Sequence, residues 1–320
     1  EFLQQPQDPN SSSQQPPAPL LCIAAAGSPK SVRLLLEAEA DLHRRDEHFG
    51  LTALHVACVH GQVEVTELLL QARADMRARD VNADTPLHVA SAAGQSDVLR
   101  LLLEAGVDGP EIDMEGANGR SPLLQACSLG AVDTSRQLIE ATADINRASH
   151  VEHTSASTPL LAACAHGQPQ VASLLIQMRA NLNQPDEAGR SPLLVACTIE
   201  NLEVARLLVA AGARKGRGHA PSAPLHVAVL LDNADMAQLL LQNRADINEK
   251  TADGDTALWR ASLMGSTDMV RLLIQHGSSQ VVDNEGRTPL LAARYFNYAD
   301  IEQLLLERAP KRRRRTKGPP

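Results

Sequence analysis

Apolar residues return along the chain in two short bursts at a time, each with helical spacing. Residues 85–108 show the unit: Thr-Pro-Leu-His-Val-Ala-Ser-Ala-Ala-Gly, then Gln-Ser-Asp-Val-Leu-Arg-Leu-Leu-Leu-Glu-Ala-Gly-Val-Asp. Thr85 is placed to cap a first helix, because its hydroxyl can accept a free amide of the first turn. Pro86 fits the first helical position, where a missing N–H costs nothing. Ala90 and its neighbours are small and let helices approach closely. Gly94 ends the first helix, Val98, Leu101 and Leu102 give the second an apolar face, and Gly106 stops it.

The unit repeats. Its Pro-Leu or Ala-Leu pair begins at Pro19, Ala53, Pro86, Pro122, Pro159, Pro192, Pro224, Ala257 and Pro289, in steps of 34, 33, 36, 37, 33, 32, 33 and 32 residues. Each such pair opens the same helix–turn–helix, so the chain is read as one repeated unit before domains are counted from its length.

Thr52-Ala-Leu-His55, Thr85-Pro-Leu-His88, Thr288-Pro-Leu-Leu291 and Asp283-Asn-Glu-Gly-Arg-Thr288 carry the resemblance to a known family: the chain resembles the ankyrin repeats from about Ala18 to Ala309. The resemblance implies an all-α solenoid of nine stacked helix–turn–helix repeats with short β-hairpin fingers. It also implies recognition of a partner protein through the fingers and the concave helices. Residues 1–17, rich in Gln, Pro and Ser, read as a disordered segment, 18–309 as the repeat domain and 310–320 as a disordered basic tail. The fingers before Pro122 and Pro159 carry extra residues and are expected to be longer.

The pattern is broken in two places. The glycine that stops the second helix is replaced by Glu39, Arg73, Thr142, Arg179, Arg244 and Ala309, and the glycine between the helices by Glu200, Asp232 and Asn297. A side chain in left-handed backbone costs on the order of 1 kcal/mol, so looser turns are expected there.

Composition narrows the chemistry. Aromatics are 2% of the chain, so Leu, Ala, Val and Ile must fill the core. The net charge is −8, and the segment Lys311–Lys317 holds six positive charges, leaving −14 elsewhere. An acidic body repels nucleic acid, which leaves only the tail as a nucleic-acid contact. Lys311, Arg312, Arg313, Arg314 and Arg315 fit a nuclear import signal. No apolar run is long enough to span a membrane and no signal peptide is visible, so a cytoplasmic or nuclear monomer without membrane insertion is expected.

Four of the five cysteines, Cys58, Cys127, Cys164 and Cys197, lie five residues after the repeat's Pro or Ala, in the small-residue slot. Equivalent atoms should lie roughly 10 Å apart, too far for disulfides, so they read as buried reduced thiols. His55, His88 and His226 read as structural, their rings bonding the neighbouring finger. His150, Glu152 and His153 share one finger but do not make up a metal set. No nucleotide-binding fingerprint or catalytic triad is present, so neither an enzyme, a cofactor nor a small-molecule substrate is expected.

The functional signal is an irregularity laid over the repeat. The two residues at the end of the first helix are Val59-His60, Ala92-Ala93, Ser128-Leu129 and Ala165-His166 early in the chain. Later they become Thr198-Ile199, then Leu230-Leu231, Leu263-Met264 and Tyr295-Phe296. Leu230, Leu231, Leu263, Met264, Tyr295 and Phe296 are therefore expected to form one apolar partner-binding strip, with Tyr298 and Trp259 beside it and Arg217 as a rim charge. The expected role is a non-catalytic scaffold or adaptor. The alternatives are the targeting module of a larger enzyme, such as a ubiquitin ligase or kinase, or a nuclear regulator. The resemblance further implies Asn146, Asn183 and Asn248 as candidate hydroxylation sites.

Overall fold

A computed structural model describes residues 27–106, 111–116, 119–149, 157–216, 218 and 221–307. Among them lie 17 helices and no strand. Eight complete helix pairs follow a lone helix, Pro29–Glu37. The expected first helix at Pro19 and both terminal segments lie outside the described residues, as do His150, Glu152 and His153.

The molecule divides into two compact units, residues 1–187 and 188–320. In the first, the pairs begin at Ala53, Pro86, Pro122 and Pro159; in the second, at Pro192, Pro224, Ala257 and Pro289. Within each unit every inner helix packs on the inner helix of the next repeat and on its own outer helix.

The first helix starts where a hydroxyl can cap it. Ser121, Thr158, Ser191, Thr256 and Thr288 accept an amide of the first turn at 3.1–3.3 Å. Where the fourth residue is His, the device changes. His55 Nδ1 accepts the Thr52 amide at 3.2 Å and lies 2.9 Å from its hydroxyl. Nε2 then donates to the Asp84 carbonyl of the next finger at 3.1 Å. His88 repeats this with Thr85 and reaches the Met114 carbonyl at 2.8 Å. At His226 the capping position is Ala223, which has no hydroxyl to offer.

The core is a repeated pair of layers. Ala57, Ala90, Ala126, Ala163, Ala196 and Ala228 are fully buried where inner helices meet. The outer helices supply a β-branched residue or Met and, four residues on, a Leu: Val65 and Leu69, Val204 and Leu208, Met269 and Leu273, all buried. In the Pro86 repeat Val98 and Leu102 are buried as expected, but Leu99 takes the buried place expected of Leu101, which is only half-buried.

The expected looser turns do not occur. Arg73 takes φ +64°, and the turn closes by Arg73 N–H to Leu70 O at 2.9 Å and Ala74 N–H to Leu69 O at 2.9 Å. The glycine version at Gly212 closes at 3.1 and 2.9 Å. Glu39, Thr142, Arg179 and Arg244 are left-handed as well, and so are Glu200, Asp232 and Asn297 between helices. The paired backbone bonds of this helix-ending motif hold the geometry and the side chain bears the strain; Ala309 lies outside the described residues.

The fingers are turns rather than paired strands. Several are closed by their own backbone bonds, for example Asp80 N–H to Asp84 O, Thr251 N–H to Asp255 O and Asp283 N–H to Arg287 O at 2.9–3.0 Å. Side-chain amides tie repeats together: Asn146 Oδ1 accepts the Asn181 amide at 2.7 Å, and Asn248 Oδ1 accepts the Ser279 amide at 3.0 Å.

Candidate functional site

In the second unit the inner helices Pro224–Leu230, Ala257–Met264 and Pro289–Tyr295 pack in succession. The last two and the finger between them enclose a groove of about 460 Å³. Trp259, Leu263, Leu291, Ala292, Tyr295 and Phe296 line it, with Arg287 from the finger.

Local sequence explains each wall. Trp259 stands where other repeats carry His, and it is 7% exposed. The Arg287 guanidinium lies 5.0 Å from its ring centroid, a cation–π contact. Arg287 is itself held by Asp283 through Nε at 2.6 Å and by Glu285 at 2.9 Å. Desolvation pushes the Asp283 carboxyl up, but the bonds from Arg287 and from the Glu285 and Arg287 amides outweigh it and hold the group below the usual range. Leu291 takes the same His position one repeat later. His55 and His88 are covered by a following finger; no such finger follows Leu291 among the described residues, and it is 52% exposed.

Tyr295 is 81% exposed and meets Phe296 edge-on, with ring centroids 4.9 Å apart. Phe296 stacks on Tyr298 at 5.9 Å. Tyr298 in turn lies over Gly265: a Cβ there would come within 2.6 Å of its ring. Glycine at 265 leaves room for this ring and takes φ +77° without strain.

Of the expected strip, the structure brings Leu263, Tyr295 and Phe296 into one groove. Leu230, 50% exposed, Leu231 and Met264 are exposed at the ends of their helices but do not line it. Arg217 lies outside the described residues. Sequence reasoning missed Leu291 and Arg287 as lining residues. Leu at that position gave no signal for the first, because Leu124, Leu161 and Leu194 stand at the same position and are buried. Asp283 and Glu285 of the last finger are both paired with its own Arg287.

The other candidates resolve structurally. Cys58, Cys127, Cys164 and Cys197 are free and buried. Burial pushes all four thiols up, the last three to about 12, so none is poised as a nucleophile near neutrality. Burial lowers the pKa of His55, His88 and His226 and keeps their rings neutral. Among the described residues no group of three or more His, Cys, Asp or Glu could hold a metal, and no helix is long and apolar enough to cross a membrane.

Capped helix pairs in regular register, with an open apolar groove, define a repeat protein built for surface recognition. Comparison places it more closely. Residues 1–80, 73–149, 148–218 and 225–314 match the family described as ankyrin repeats in three copies, and the chain belongs to the ankyrin-repeat family. It is similar to a probable 26S proteasome regulatory subunit p28 of Saccharomyces cerevisiae, 31% identical over 129 residues, covering 39% of this chain and 57% of that protein. It is also similar to the neurogenic locus notch homolog protein 1 of Xenopus tropicalis, 27% identical over 201 residues, 62% of this chain but 7% of that one. Among solved structures, the human ASB11 ankyrin repeat domain covers 72% of this chain and all of its own, with a TM-score of 0.62 at 24% identity. Ankyrin repeats are a general protein–protein interaction module.

Proposed function

We propose that the chain is a scaffold or adaptor that binds a partner protein on the inner-helix face of its second unit. Leu263, Tyr295 and Phe296 are the centre of the contact, and Leu230, Leu231 and Met264 extend it; Arg217 is assigned to the rim. The observation that carries this reading is the groove itself. Large apolar side chains are exposed side by side on adjacent repeats, and buried aromatics and aliphatics dominate binding energy at interfaces. Binding by a preformed surface of this kind needs no catalytic group. The naming of one relative as a proteasome regulatory subunit supports a second reading, in which these repeats are the recognition module of a larger assembly.

The test is a pull-down with identification of captured proteins by mass spectrometry, run beside the Leu263→Ser/Tyr295→Ser variant. A genuine partner should lose about 100-fold in affinity, as expected for two central anchors. A captured partner that binds the variant unchanged rules the face out.

A further inference from the structure

We infer that the segment received on this face is amphipathic and carries Lys or Arg along one edge. The inference rests on the reading above and adds the chemistry of the partner. Its basis is the border of the strip. Glu200 and Asp232 directly follow the exposed Ile199 and Leu231, and both are exposed. The equivalent residues in the first unit, Gly61, Gly94, Gly130 and Gly167, are uncharged, as are Gly265 and Asn297 beside the groove, so the acids mark one end of the strip.

The acids stand there against a backbone preference. Their φ values are +58° and +52°, where glycine costs nothing and a side chain is strained. Each carboxylate is also steadied along the row of turns. Glu200 Oε2 accepts from Asn233 Nδ2 at 3.0 Å, and Asp232 accepts from the Ser266 hydroxyl. Among the described residues no cation lies within ion-pair distance of either.

The arginines nearby are committed elsewhere. Arg260 pairs with Asp255, Arg271 with Asp268, Arg287 with Asp283 and Glu285, and Arg294 with Glu302. The Leu230–Leu231 end of the strip therefore carries negative charge that these arginines do not neutralise. A Lys or Arg beside an apolar anchor answers both features at once. An acidic segment would meet like charge at the same border.

The experiment uses the 320-residue chain as bait for a displayed library of random peptides. Peptides lost on Leu263→Ser/Tyr295→Ser, and on Tyr295→Ser alone in case the double variant folds poorly, are taken as strip-bound. They should be enriched in Lys and Arg on one edge of an apolar pattern. Glu200→Gln/Asp232→Asn should weaken them about tenfold at low salt, and less as salt screens the border. Replacing the peptide's basic residues by Gln should erase the difference between the two baits. Strip-bound peptides without a basic excess, or ones indifferent to Glu200→Gln/Asp232→Asn, overturn the inference and leave the strip standing. Recovery of no strip-dependent peptide overturns the strip reading itself.

Discussion

The two units fold by the same rules and expose different surfaces. Residues 27–187 and 188–307 bury the same kinds of side chain at the same repeat positions: alanine and cysteine between inner helices, and a Val, Ile, Met or Thr with a Leu on the outer ones. They part at positions that packing does not govern. The first unit keeps His55 and His88 locked to the next finger and ends its inner helices mostly in small or polar residues, though Val59 and Leu129 are exposed there. The second keeps His226, places Trp259 at that position in the next repeat, and ends its inner helices in exposed large apolar residues. Buried positions report the fold, and the divergence between exposed ones reports the task.

The comparison breaks first if the cores are unequal. Leu102→Ala in the first unit and Leu240→Ala in the second each remove a fully buried side chain. Each should cost about 2–5 kcal/mol in urea denaturation. A large cost in only one unit would show that they are not built alike.

A smaller effect comes from acid. Burial lowers the pKa of His55 and His88 in the first unit and of His226 in the second. A lowered histidine pKa means that the unfolded chain takes up the proton first. The stability these rings contribute is complete above about pH 6.5 and is lost as pH falls below it. The melting temperature should drop as pH is lowered from about 7 to 5, and His55→Gln/His88→Gln should flatten that drop. A drop of unchanged steepness in this variant would remove the two rings from the account.

The smallest effect sharpens the contrast. Thr142, β-branched, is held at φ +73°. Thr142→Gly should stabilise the protein by about 1 kcal/mol and leave binding untouched. Asp232→Gly, in the second unit, should gain less stability, because Asp tolerates this backbone better, and should weaken binding. Equal binding in both variants would deprive Asp232 of its role at the border.

Much of this was legible in the residues alone. The Pro-Leu and Ala-Leu spacing placed the start of every described inner helix, and the small-residue slot placed the buried cysteines. Left-handed backbone was readable wherever a side chain replaced a repeat glycine. The tightness of those turns was not, because it depends on two backbone bonds that form whatever the side chain. The exposed large pairs were visible as an interrupted pattern. Their grouping was not, because it depends on rings from separate repeats: Tyr298 seated over Gly265, and Arg287 over Trp259. Leu291 escaped notice because a His position usually lies under the following finger.

The most direct measurement is amide hydrogen exchange on the chain with and without a bound partner or a strip-selected peptide. Protection should rise across the helices Pro224–Leu230, Ala257–Met264 and Pro289–Tyr295. It should stay unchanged across Pro86–Ala92 and Pro122–Leu129. Trp259, the one tryptophan in the sequence, gives an independent signal through its emission. Protection confined to the first unit, with Trp259 emission unmoved, would contradict the assignment of recognition to the second.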